Sequence, residues 1–362
     1  MSPRATRPEP PAALGFHMPA EWEPHAATWI AWPHEPSDWP GPGKLAAVRW
    51  VYGEVIRHLA SGEIVRVLVQ DDAAERQVRT MCTRIGVARE QVECFRVPTD
   101  RSWTRDSCPV FVRRAPGDVA AVGWRFNGWA KYPNHTRDGK VPAAVAKKRR
   151  VPLFTPMATI DGRSRRVVLE GGALDVNGRG TVLVTEECLL SRVQERNPGF
   201  DRDDTERALR DWLGVRHVVW LGQGIVGDDT HGHVDDLARF VDPTTVALVM
   251  TDDPRDENYA ALKDNHDRLV GATDQDGTPL RVIPLPMPAP LAYEGYRLPA
   301  SYANFYVGNA AVIVPTFNDP ADRRALATLA SCFPDRPVIG IHAVDLVLGL
   351  GTLHCMTQQE PA

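Results

Sequence analysis

The residues of this chain that could do chemistry lie in four short stretches. One is Gly349-Leu350-Gly351-Thr352-Leu353-His354-Cys355, almost at the C-terminus. A deprotonated thiol is the most nucleophilic side chain available near neutral pH. The two glycines allow backbone conformations that a Cβ forbids, which predicts a loop carrying Cys355 up to a bound molecule. Taken alone, Cys355 reads more plainly as a small buried hydrophobe.

The other three stretches supply acids and a base. Asp106 ends Trp103-Thr104-Arg105-Asp106, ahead of an apolar strand-like run. By itself that Arg-Asp pair reads as a surface ion pair. Glu170 follows Val167-Val168-Leu169 and precedes Gly171-Gly172, a poor place for a solvated carboxylate. The glycines fit either a tight turn or a close backbone approach. The densest stretch is Gly227-Asp228-Asp229-Thr230-His231-Gly232-His233-Val234-Asp235-Asp236. Strand alternation predicts His231, His233 and Asp235 on one face. Such a face suits either a metal site or acid/base work by a histidine beside a carboxylate.

Together Cys355, His233, Asp106, Asp235 and Glu170 make a nucleophile, a base and three acids. Three carboxylates near one thiol raise its pKa and repel an anionic substrate. They suit a cation gripped by two acids. A guanidinium fits best, being planar with paired N–H donors that match carboxylates.

The elements that must position these residues alternate. Helical spacing covers residues 44–60, a buried β-type run covers 64–70, and a charged helix is expected near 72–85. Strand-like runs follow at 110–113, 119–126, 167–170, 181–184, 217–221, 246–250, 280–285, 311–315 and 337–341. Helices are expected at 203–213, 256–270 and 320–332, the last with Asp319 as N-cap and Pro320 at its first position. No linker divides them, so a single mixed α/β domain over 15–362 is expected, behind a disordered Pro-rich tail at 1–14. Groups of two strands, a helix and a strand recur loosely.

Composition sets the bounds. The 362 residues are 43% apolar and 24% charged, with a net charge of −4. That balance gives no reason to expect nucleic acid or an anionic membrane as partner. No run reaches the length of a membrane span and no signal-peptide core is seen, which makes the cytoplasm the default. Six cysteines without CxxC spacing read as free thiols.

On these stretches the chain resembles the agmatine deiminases and bacterial-type peptidylarginine deiminases, of the pentein, guanidino-modifying superfamily. The marks are MPAEWEPHAATWIAWP at 18–33, WTRD at 103–106, FNGW at 126–129 and LEGG at 169–172. TEECLL at 185–190, RNPGF at 196–200, GDDTHGHVDDLARF at 227–240, SYANFYV at 301–307 and LHCMTQQ at 353–359 continue them. The resemblance implies a pseudo-fivefold β/α propeller with its site on the axis and no metal or other cofactor. It implies Cys355 as nucleophile, His233 as general acid/base, Asp106 and Asp235 as the guanidinium-binding pair, and Glu170 supporting the histidine. The expected reaction is hydrolysis of agmatine to N-carbamoylputrescine and ammonia, in a homo-oligomer such as a dimer. Cys108 and His231 depart from the family pattern and leave substrate choice open. Trp32, Trp103 and Trp129 are expected to line the substrate's alkyl chain and ammonium. Peptidyl-arginine is the alternative substrate. Rival readings are an amidinotransferase, a metal amidohydrolase using His231, His233 and Asp235, and a binding-only propeller.

Overall fold

The 44–60 spacing folds as one helix, Lys44–Leu59, whose Val48, Val51, Val55, Ile56 and Leu59 are buried in the largest core cluster. The same correspondence between pattern and element runs through the chain. In the computed structural model, residues 9–160 and 162–362 are described; most of the expected Pro-rich tail, 1–8, lies outside them. Pro11–Leu14 form a 3₁₀ turn with Pro11 buried, so the disorder expected over 1–14 does not extend there.

Five small sheets share one plan, two antiparallel strands followed through a helix by a parallel one. Val110–Ala115 and Asp118–Val122 pair antiparallel, and Leu153–Phe154 joins in parallel after helix Val141–Arg149. Asp175–Val176, Thr181–Thr185 and His217–Leu221 repeat this around helix Arg202–Leu213. Ala238–Asp242, Thr245–Met250 and Arg281–Pro286 do so around Tyr259–Val270. Tyr306–Val307, Val312–Thr316 and Val338–His342 do so around Ala321–Cys332.

The fifth sheet joins the chain's ends. Gln358–Pro361 pairs antiparallel with His25–Ala31, which pairs in parallel with Ile64–Val69, followed by Val92–Arg96. Thr28 therefore sits opposite Gln359. This closure brings Cys355, three residues before its strand, to the first third of the chain. Thr104 Oγ1 donates to the carbonyls of Trp29 (3.1 Å) and Met356 (2.7 Å), tying the segment that carries Asp106 to both.

Three expectations need correction. Residues 167–170 are not a strand; Val168 makes one isolated bridge to Arg125, because Leu169 and Glu170 turn at once into a 3₁₀ turn at Gly171–Ala173. Helix 320–332 begins at Ala321, whose N–H donates to Asp319 Oδ1 at 2.7 Å. Asp228–Asp236 is not extended either: it is a chain of turns ending in a 3₁₀ turn at Val234–Asp236. Among the described residues no helix is long and apolar enough to cross a membrane.

Candidate active site

Each reactive residue stands at a break between a regular element and a turn. Asp106 lies in the single helical turn Thr104–Ser107, Glu170 caps the Gly171–Ala173 turn, and His233 precedes the Val234–Asp236 turn. Cys355 sits in turns between Leu346–Gly349 and the closing strand. All five predicted residues are buried, from fully buried Glu170 and Asp235 to Cys355 and Asp106 at 7% exposure.

They converge. Cys355 Sγ lies 3.7 Å from Asp235 Oδ2. His233 Nδ1 stands 3.9 Å from Asp106 Oδ1 and 4.0 Å from Asp235 Oδ1, while Nε2 stands 3.7 Å from Glu170 Oε2. Gly172 makes this approach possible, since a Cβ there would lie 2.5 Å from His233 Nδ1. The carboxylates are held from behind. Asp106 accepts from Trp129 Nε1 at 2.9 Å and from the Gly172 amide at 3.1 Å. Arg196 Nε donates to both oxygens of Glu170, at 3.2 and 3.3 Å.

The electrostatics follow from burial and crowding. Burial pushes Asp106 up to about 6, with His233 pulling it back and Asp235 and Glu170 adding to the rise. Burial also opposes ionisation of Glu170, but Arg196 and His233 outweigh it and leave its pKa low. For His233 burial favours the neutral ring, yet Asp106, Cys188 and Glu170 hold its pKa well above the ordinary value. The Cys355 thiol is driven well up by burial and then by Asp235, Asp236 and Asp106. Both directions favour the protonated forms of Cys355 and His233 while no cation is bound.

The glycines near Cys355 act through space, contrary to the conformational role expected of them. It is Leu350, between them, that takes the left-handed conformation (φ 65°). A Cβ on Gly349 would lie 2.7 Å from Trp39 Nε1 and 2.8 Å from Trp103, so glycine lets this loop lie on the tryptophan pair.

The cleft above Cys355 is lined by Arg101, Trp103, Asp106, Trp129, Tyr132, Asp229, Thr230, Gly349, Leu350 and Gly351. Trp103 and Trp129 stand where expected. Trp32 does not: its indole donates to Gln77 Oε1 at 3.0 Å and its ring packs on Tyr52, as part of the core. His231, also in a left-handed conformation, faces Ser191 (3.1 Å) and Glu187 (3.8 Å), so it does not join His233.

Sequence reasoning missed several residues. Asn304 is the largest omission. Its Oδ1 accepts from Thr352 Oγ1 (2.7 Å) and from the amides of His354 (3.0 Å) and Cys355 (3.3 Å), and its Nδ2 lies 3.1 Å from Cys355 Sγ and 3.0 Å from Asp236 Oδ1. His354 bridges Asp235 and Glu21. Asp236 is a buried carboxyl raised well above its ordinary pKa by burial, Asp235 and Asp228. Asn304, His354 and Arg196 all lie inside the SYANFYV, LHCMTQQ and RNPGF stretches, where an unexplained polar residue in an apolar context was the available signal. The cation Arg101, at the cleft, was overlooked; it pairs with Asp38 and stacks 4.3 Å over Tyr132.

Known proteins resemble this chain along its whole length. The agmatine deiminase of Pseudomonas putida is 38% identical over 375 residues, with 97% of each chain covered. A solved agmatine deiminase of Enterococcus faecalis superposes with a TM-score of 0.87 at 33% identity, covering 99% of both chains. A cysteine-to-serine variant of C. Jejuni agmatine deiminase, solved with substrate bound, gives 0.82 at 27% identity over 96% of both. A family model described as Porphyromonas-type peptidyl-arginine deiminase matches from residue 17 to residue 361, and the chain belongs to that family.

Proposed function

We propose that this protein is an agmatine deiminase, hydrolysing the guanidinium of agmatine to a urea with release of ammonia, and so serves polyamine synthesis. The observation that carries the reading is a set of buried polar atoms without hydrogen-bond partners among the described residues. Three such atoms belong to the predicted site residues: Asp235 Oδ1 and both ring nitrogens of His233. A buried unpaired polar atom costs about 1–3 kcal/mol. A planar cation between Asp106 and Asp235 would satisfy the carboxylate and face His233. Full-length similarity to agmatine deiminases supports agmatine as that cation.

In this reading Asp106 and Asp235 hold two guanidinium nitrogens and keep positive charge on carbon. The arriving charge offsets the three acids that keep Cys355 protonated, so with substrate in place the thiol releases its proton to solvent. The thiolate attacks the central carbon. The His233 imidazolium gives its proton to the departing nitrogen, which leaves as ammonia, and a covalent thiouronium remains. Neutral His233 then takes a proton from water and the hydroxide adds to carbon; the C–S bond breaks with its electron pair returning to sulfur, and the new hydroxyl's proton passes to Cys355 as the ureido product forms. Five sheets of one plan, joined end to end, support a pseudo-fivefold propeller carrying the site on its axis, as a single domain.

The test is ammonia release from agmatine, arginine, a peptidyl-arginine, guanidinoacetate and methylarginine, side by side. Agmatine is expected to be the best substrate. Preference for the arginyl peptide would replace the assignment, and no release from any would overturn it.

A further inference from the structure

Behind His233, away from the cleft, stands a second thiol that the proposed reaction does not use. Cys188 is 1% exposed and lies in the short helix Glu186–Leu189. Ligand atoms of Glu170, Cys188 and His233 all fall within 4.8 Å of one another. One hydroxyl ties the cysteine to the histidine's loop: Thr185 Oγ1 accepts from the Cys188 amide at 3.1 Å and donates to the carbonyl of Gly232, one residue before His233. Both nitrogens of His233, itself 1% exposed, lack a hydrogen-bond partner among the described residues. Sulfur, imidazole and carboxylate within one coordination radius are a donor set for zinc-like cations.

We propose that Glu170, Cys188 and His233 form an inhibitory site for a thiophilic divalent cation of the zinc class, which stops turnover by occupying the imidazole of His233. This rests on the reading that His233 is needed for turnover. The trio borders the cleft through Asp106, which lines it and stands 3.9 Å from His233 Nδ1. On binding, the Cys188 thiol loses its proton to solvent as sulfur takes the metal, and the imidazole must be neutral. The metal is a blocker here, not a cofactor.

A second trio, Asp235, Asp236 and Cys355, meets the same distance criterion, so binding is measured with the nucleophile removed. Cd²⁺ is titrated into Cys355→Ser and into Cys355→Ser/Cys188→Ala, reading the sulfur-to-cadmium absorption. One equivalent of signal is expected in the first that is absent from the second. In parallel, Zn²⁺ inhibition of ammonia release is compared in wild type, Cys188→Ala and Cys188→Ser. Serine keeps the volume and guards against a packing loss. At least a tenfold rise in the half-inhibiting Zn²⁺ concentration, with EDTA restoring wild-type activity, supports the site. Equal inhibition in all three overturns it and leaves the role of His233 intact. Cysteine-188-dependent binding that leaves turnover untouched overturns the inhibition and, with it, the role of His233.

Discussion

His354 Nδ1 lies 2.6 Å from Asp235 Oδ2. The other ring nitrogen lies 2.9 Å from Glu21 Oε2, and Glu21 is itself paired with Arg105 and Arg239. Each ring nitrogen of His354 thus faces a carboxylate oxygen. Burial favours a neutral Asp235, but the His354 hydrogen bond and charge outweigh it and hold the carboxyl below its ordinary pKa. One oxygen of Asp235 is thus fixed, and the other is left for substrate.

Removing one partner of such a buried pair costs about 3–5 kcal/mol. His354→Ala should lower kcat/KM by on the order of a hundredfold or more, because Asp235 then loses both its anchor and its charge. Steady-state kinetics checks this, with circular dichroism to confirm folding. A loss under about threefold would remove His354 from the account.

Gly172→Ala should inactivate the protein while leaving its fold in place. The added methyl would sit 2.5 Å from His233 Nδ1, so the ring must shift or the turn must open. Misplacing a catalytic group by an ångström costs on the order of a hundredfold. Thermal unfolding and turnover, measured on the same sample, separate the two effects.

The pH dependence of binding should report Asp106. Its carboxyl titrates near 6, raised by burial, so it is charged above that pH and neutral below. Affinity of Cys355→Ser for agmatine should fall roughly tenfold per pH unit below about 6, since a neutral carboxyl cannot hold the cation. Calorimetric titration checks it. In Cys355→Ser/Asp106→Asn the fall near 6 should vanish and affinity should be low throughout.

Much of this site could be read from residue types because chemistry constrains type more tightly than geometry. A Glu behind three apolar residues is costly to bury, and Glu170 is fully buried here. What the pattern misplaced was orientation. Period-two alternation put His231 beside His233, but the left-handed backbone at His231 turns it outward, and nothing in local spacing signals that. Trp32 looked like lining because indoles serve in core and cleft alike. Asn304 and His354 act through contacts between residues far apart in sequence.

Agmatine should be preferred over free arginine by on the order of a hundredfold in kcat/KM. Burying an α-carboxylate without a cationic partner costs several kcal/mol. Arg105 cannot serve, being buried against Glu21 and Gln359. The cations at the rim are committed: Arg101 to Asp38, and Lys131 to Asp229. The indoles of Trp103 and Trp129, which line the cleft, suit an ammonium instead. Parallel ammonia assays decide it, and equal turnover of arginine would show that the rim is more open than these pairs suggest.

The central claim is a covalent bond between Cys355 and the substrate's guanidinium carbon, and rapid-quench mass spectrometry of enzyme mixed with agmatine tests it most directly. In the first turnovers the peptide containing Cys355 should carry an amidine adduct that decays as the ureido product forms, while Cys355→Ser shows neither adduct nor product. Product formed at more than about a tenth of the wild-type rate by Cys355→Ser would contradict the account, because losing a nucleophile costs orders of magnitude.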